Sequence, residues 1–184
     1  MKKPLPDIAG PGLSVIFCGL NPGLSAAAAG HHFVGRGNRF WRVLHLAGFT
    51  PDQIEPRHDA SLLDYGLGVT SVVERPTAGV DDLARSEFVA AATGFEPWIR
   101  RLAPRYVAFL GKAAYLAMTD RRTAPWGRQA ESFGGAIAWL LPNPSGRNLA
   151  FSQDALVAAY RELRLSAEDH GADPAQLACP LGGR

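Results

Sequence analysis

The sequence predicts an α/β protein, a three-layer α/β/α sandwich around a mostly parallel sheet of about four strands. Four short apolar runs carry that reading: LSVIFC (13–18), GVTSVV (68–73), YVAFL (106–110) and AIAWLL (136–141). Each is too short for a buried helix and rich in strand-forming residues. Segments with apolar residues at helical spacing alternate with them, the pattern of a parallel sheet covered on both faces. Two Asn-Pro turns, GLNPG and PNPSG, follow the first and last runs. Ligands of such sheets bind beyond the carboxyl ends of the strands, so Asn21 and Asn143 should face one crevice.

The helices follow in order. In NRFWRVLHLA (38–47), Phe40, Val43, Leu44 and Ala47 share a face, Asn38 can cap the start and Gly48 can end it. Over 85–102, Phe88, Ala91, Phe95, Trp98 and Leu102 recur at helical spacing, and Pro97 should kink or divide that helix. Gly111-Lys112 opens another helix. The last runs over 151–165 with Leu156, Ala159, Tyr160 and Leu163 on its apolar side. Residues 1–165 form a single domain on this reading, with 1–12 as an N-terminal extension and the Ala/Gly/Pro/Asp-rich 166–184 as an appendage.

The 184 residues, 47% hydrophobic and 20% charged, suit one globular domain with a proper core. A net charge of +2 does not by itself argue for nucleic acid, but 16 of the 19 basic residues are Arg, whose planar fork suits phosphates. Arg36, Arg39 and Arg42 cluster early, and Arg121, Arg122 and Arg128 later; ordinary solvated arginines read equally well from charge alone. Cys18 and Cys179 make no disulfide framework, and the five histidines lack zinc-ligand spacing. No apolar stretch approaches the ~20 residues of a membrane span, and Pro and Gly break the N-terminus before any signal-like core. A cytoplasmic protein is expected.

Familiar cofactor motifs are absent. GLNPG lacks the glycine spacing of GxGxxG, and Pro22 removes a donor that a pyrophosphate would want. FLGK resembles the end of a P-loop, yet Tyr106 stands at the required glycine and Ala113 at the metal-binding hydroxyl. No GxSxG elbow or Ser-His-Asp order stands out. No cofactor is expected.

GLNPG followed by Phe33 and GNRFW, then GVTSVVERPT, FLGKAAY and LPNPSGRN, together resemble the mismatch-specific uracil/thymine-DNA glycosylase family over roughly residues 13 to 165. The resemblance implies excision of uracil, and in some members thymine, from mismatches with guanine in double-stranded DNA, leaving an abasic site. It implies that Asn21 is catalytic. An amide has negligible basicity, so Asn21 would position the attacking water, and backbone donors near Leu20 and Gly23 would stabilise the departing base anion. Phe33 corresponds to the aromatic that stacks on the extruded pyrimidine. Gly146-Arg147-Asn148 matches the insertion loop, supported by Asn143 and Ser145, with Arg147 as the wedge that fills the vacated space. Arg36, Arg39 and Lys112 are candidate phosphate contacts.

The chain departs from the family at several points. Ser71 stands where a bacterial relative has Lys, Ala26 where some have Ser, and His31-His32 where an apolar-Pro pair precedes the aromatic. Phe33, Ala26 and Ser71 set the width that decides base preference. Asp64, in LLDYG, would serve as an auxiliary base only if the fold brings it to the crevice; a capping or solvated carboxylate is its ordinary reading. Neither Asn-Pro motif contains a Lys for Schiff-base chemistry, so a monofunctional enzyme is expected. It should act as a monomer and hand its product to an abasic-site endonuclease. Two rivals stay open, a lesion-binding module that turns over slowly or not at all and a hydrolase of free nucleosides.

Overall fold

The computed structural model describes residues 5–169. In chain order the elements are β1 (Val15–Gly19), α1 (Leu24–Ala29), α2 (Phe40–Leu46), a 3-10 segment (Pro56–Tyr65), β2 (Leu67–Ser71) and α3 (Arg85–Leu102). Then come β3 (Tyr106–Leu110), α4 (Lys112–Met118), β4 (Gly127–Phe133), β5 (Ala136–Leu141) and α5 (Gln153–Asp169). The strands form one sheet in the order β2-β1-β3-β5-β4. β1 lies parallel to both β2 and β3, with Val15 opposite Leu67 and Tyr106. β3 is parallel to β5, and only β4 runs antiparallel.

Alternating residues of each central strand feed two different cores, which is why the strands read as unbroken apolar runs. Val15 and Phe17 of β1, with Ala108, Leu110, Trp139 and Leu141, pack under α2 and α5 through Phe40, Leu44, Leu156 and Tyr160. Ile16 and Cys18, with Val107, Phe109, Ala138 and Leu140, pack under α3 and α4 through Phe88, Phe95, Ile99 and Tyr115. The three-layer α/β/α expectation holds.

The sheet has five strands rather than four. β4 (GRQAESF) is an edge strand whose side chains are mostly exposed, with Gln129 and Phe133 buried. An edge strand wet on most of its length carries no apolar run for a sequence reading to find. Gly134 and Gly135, both at positive φ, make the two-residue turn that pairs it with β5.

Pro97 does not divide α3, which is continuous over its 18 residues. Pro97 and Thr93, the residue one turn before it, are exposed, so the carbonyl left without an N–H partner can reach water. Phe95 and Ile99 hold the helix to the sheet on either side of the proline. α5 continues to Asp169, so 166–169 belong to the helix rather than to an appendage; 170–184 lie outside the described residues.

The segment ahead of β1 meets β2 at Asp7 and Ile8. Ile8 and Val69 exchange antiparallel backbone hydrogen bonds at 2.9 and 2.7 Å, and the Thr70 hydroxyl donates to Asp7. A Cβ on Gly68 would come within 2.8 Å of both the Ile8 carbonyl oxygen and Leu13 Cδ1. Gly68→Ala should therefore cost about 1–3 kcal/mol by overpacking and lower the Tm by several degrees. An unchanged Tm in calorimetry would show that this segment yields freely.

Candidate active site

A cavity of about 850 Å³ opens at the carboxyl ends of the strands. Residues Gly19 to Gly23 leave β1 into its wall, Ser71 ends β2 there, and Leu110 ends β3 beneath it. The β1 and β2 exits stay paired beyond the strands: Val72 N–H donates to the Gly19 carbonyl and Val73 N–H to that of Leu20, both at 2.9 Å. The loop after α1 supplies Phe33 and Arg36, and the loop after β5 supplies Asn143 and Ser145 to Asn148. The two Asn-Pro turns do face one crevice.

Asn21 is held by its nitrogen. Nδ2 donates to the Arg75 carbonyl at 2.9 Å and to Thr77 Oγ1 at 2.8 Å, with a longer 3.3 Å contact to the Pro22 carbonyl. Thr77 gives its own hydroxyl proton to the Gly79 carbonyl at 2.7 Å, so toward Asn21 it can only accept. Both main partners being acceptors, the orientation of the amide is determined and Oδ1 is left as the acceptor of a cavity-lining residue. The backbone repeats the attachment: Thr77 N–H donates to the Pro22 carbonyl at 3.1 Å, and Leu24 N–H to that of Thr77 at 3.2 Å. Arg75 is steadied in turn by two hydrogen bonds to Glu87, at 2.9 and 3.0 Å, and one to the Asp82 carbonyl. The Arg75 guanidinium, through those bonds, holds the Glu87 carboxyl below its usual range.

Phe33 lies on the cavity wall with its ring stacked on Phe40, centroids 4.0 Å apart and planes at 25°. Its backbone sits at φ +54°, a left-handed conformation uncommon for a bulky residue and typical of functional loops. The preceding histidines fix that bend. His32 N–H donates to Asp59 Oδ2 at 2.9 Å, its carbonyl accepts from Trp41 Nε1 at 3.1 Å, and its ring Nε2 meets the Pro6 carbonyl at 2.9 Å. A carbonyl only accepts, so Nε2 carries the proton and Nδ1 is bare. Burial pushes the His32 pKa down from its ordinary value, outweighing the Pro6 hydrogen bond and the charge of Asp59, which keeps the ring neutral. His31 Nδ1 lies 3.3 Å from the other oxygen of Asp59.

The loop after β5 is framed from within and from α2. Asn143 Oδ1 accepts from Ser145 N–H at 2.9 Å, and Asn148 Nδ2 donates to the Asn143 carbonyl at 2.8 Å. Arg39 donates to the carbonyls of Ser145, Asn148 and Phe151, at 3.2, 2.8 and 2.8 Å. A Cβ on Gly146 would lie 2.6 Å from the Gly37 carbonyl oxygen, so only glycine fits where the two loops meet. Arg147 crosses the cavity to Gly79, whose Cβ position would be 2.8 Å from Nη1.

Three sequence candidates lie elsewhere. Asp64 is exposed on the 3-10 segment and does not line the cavity, so the fold does not bring it to the crevice. Arg39 is committed to loop carbonyls rather than offered to solvent. Lys112 donates to the Ala124 carbonyl and lies 4.4 Å above the Trp126 ring. Thr77, and Arg75 behind it, are site residues beyond the sequence expectation; they lie in GVTSVVERPT, the stretch in which only Ser71 carries an expected site role. Asp81, an exposed carboxylate that does line the cavity, also went unremarked. Among the described residues no group of three or more His, Cys, Asp or Glu side chains could hold a metal ion, and no helix is long and apolar enough to cross a membrane.

The fold and cavity describe an α/β protein with a preformed pocket at the carboxyl ends of its strands. The profile of the Uracil DNA glycosylase superfamily matches residues 6–164, and the chain belongs to that superfamily, which makes it a DNA glycosylase by class. Its fold is similar to a solution NMR structure from Methanosarcina acetivorans described as a "putative Uracil DNA glycosylase", with a TM-score of 0.58 at 19% identity, covering 89% of this chain and 98% of that one.

Thr77→Val keeps the side chain's shape and removes one anchor of Asn21. On the expectation that Asn21 is catalytic, a net hydrogen bond of about 0.5–1.5 kcal/mol sets the expected fall in single-turnover uracil excision at about two- to ten-fold. An unaltered rate would mean that Arg75 alone orients the amide.

Proposed function

We propose that this chain is a monofunctional uracil-DNA glycosylase of the mismatch-specific uracil/thymine type, acting on uracil opposite guanine in duplex DNA. The observation that carries the reading is Asn21: its nitrogen is fully engaged on protein acceptors, and Oδ1 is left to a cavity walled by Phe33. Extruded from the stack, the pyrimidine lies against the Phe33 ring, which Phe40 backs. Oδ1 accepts a hydrogen bond from a water and aims it at the anomeric carbon. The N-glycosidic bond breaks with the electron pair leaving on the base, and the water oxygen adds to the oxocarbenium-like sugar, its surplus proton passing to solvent or to the departed base anion. Backbone N–H groups around Leu20 and Gly23 stabilise the base anion as it forms. Ser71 and Ala26 line the same pocket and contribute to its width.

Arg147 fills the space that the nucleotide vacates, and the Gly146 and Asn148 backbones meet the widowed guanine. Arg36, exposed on the cavity rim, adds phosphate attraction, so affinity falls with salt. The protein works as a monomer without a cofactor, inside the cell, and its abasic product passes to an endonuclease for such sites.

One observation favours a slow or non-catalytic lesion binder: Asn21 has no basic side chain among its hydrogen-bond partners. A single-turnover assay on a G·U duplex at enzyme excess separates the two, and absence of abasic product over hours would end the glycosylase reading. Asn21→Ala should remove most excision, by about 100-fold or more, while binding to abasic DNA stays nearly intact; retained activity would reassign catalysis to another group. Arg147→Ala should weaken duplex binding and mismatch preference more than cleavage of single strands. Equal losses on both substrates would refute its wedge role.

A further inference from the structure

Asp59 keeps a carboxylate inside the protein, 6% exposed, where a charge is costly unless its oxygens are used. Both are spent on one short stretch of chain. Oδ2 accepts from the His32 N–H at 2.9 Å, and Oδ1 lies 3.3 Å from His31 Nδ1. A carboxylate only accepts, so that ring nitrogen is the donor. Asp59 is anchored in turn: Leu62, one turn further along the 3-10 segment, is fully buried in the core that also holds Phe40.

Phe33 lies between two clamps. Before it, Asp59 holds the His32 N–H, and Trp41 Nε1 donates to the His32 carbonyl at 3.1 Å. After it, the Val34 carbonyl accepts from Ser25 Oγ at 2.8 Å. Between them Phe33 sits at φ +54°, a backbone state that a bulky residue keeps only where its surroundings impose it. Stacking on Phe40 fixes the ring itself, and the clamped peptides set the direction in which the side chain leaves the backbone.

On the reading that this chain excises uracil with Phe33 as the stacking ring, we infer that Asp59 is a positioning residue for the extruded base, fixing the His31–His32 peptide so that Phe33 keeps its bend and its ring stays on the cavity wall. Asp59 does not line the cavity, so it acts through Phe33 and touches neither base nor sugar. Without the carboxylate, Phe33 is free to relax to an ordinary φ, and a relaxed backbone turns the side chain away from the place where the base stacks. A floor that must be reassembled at each encounter charges its ordering entropy to base binding; a floor held in advance does not.

The test uses the full chain and compares the single-turnover rate of uracil excision from a G·U duplex with two affinities. One is for a duplex carrying a fluorinated, non-hydrolysable deoxyuridine opposite guanine, the other for a duplex carrying a stable abasic-site analogue. Asp59→Ala should lower the excision rate and the deoxyuridine-duplex affinity together, each about ten-fold. Affinity for the abasic duplex should not change, because no base is there to stack. Asp59→Asn, which still offers an oxygen to the His32 N–H, should regain most of the loss. In a Phe33→Leu background, Asp59→Ala should cost the rate less than about two-fold, since the ring it positions is gone. If Asp59→Ala does not fold, His31→Ala removes the partly exposed arm of the clamp and should show the same pattern at about three-fold. Equal losses in both backgrounds, or abasic-duplex affinity falling in step with the rate, would assign Asp59 to general stability and overturn the inference. An unchanged rate in the folded variant would overturn it as well, and each of these results leaves the glycosylase reading in place. A wild-type chain that excises uracil from no DNA and does not prefer the abasic duplex would remove both readings.

Discussion

The attachment of the Asn21 amide nitrogen to two fixed acceptors is the constraint around which the site is arranged. A free asparagine at a turn samples both amide orientations, and half of them present a donor to the cavity instead of an acceptor. Here the Arg75 carbonyl and the Thr77 hydroxyl oxygen remove the choice. Each is itself held: Thr77 by its bond to Gly79 and its backbone pairing with the turn, Arg75 by Glu87 at the start of α3. The orientation of one side chain thus depends on a helix whose first turn lies 66 residues further along the chain. This is the support a positioned water requires, since misplacement by an ångström costs far more than one hydrogen bond.

The two Asn-Pro turns put the same residues to opposite uses. At Asn21 the nitrogen is consumed and the oxygen left available. At Asn143 the oxygen is consumed inside its own loop by Ser145 N–H, and the carbonyl is bracketed by Asn148. The first turn presents a chemical group, and the second builds a stiff platform for its neighbours. Gly146 completes that platform, because its Cα is seated against the Gly37 carbonyl where any side chain would collide.

Much of this was legible in the sequence. β3 and β5 have the predicted bounds, and β1 and β2 lie within two residues of theirs, because residues buried on both faces leave an unbroken apolar signature. Asn38 and Gly48 mark the ends of α2 as expected: Asn38 Oδ1 accepts from Phe40 N–H, and Gly48 takes φ +90°. What stayed hidden depends on partners distant in sequence. β4 is polar because it is an edge. Arg39 looks like any surface arginine until the loop after β5 closes over it. Thr77 looks like turn chemistry until its hydroxyl is seen to lie 2.8 Å from an amide 56 residues away. Asp64 had only chain order to recommend it, and chain order does not place the 3-10 segment at the cavity.

The pairing of Ile8 with Val69 also bears on what the sheet exposes. β2 is an edge strand, and its sequence, LGVTS, is of the kind to which another strand readily adds. Ile8 occupies the backbone groups at the middle of that edge, and Gly68 lets the covering segment lie flush against it. The opposite edge, β4, protects itself differently, with Arg128 and Glu131 exposed along it. A single bridged residue ahead of the first strand thus acts as a selvedge: it occupies the place where another strand would begin to add.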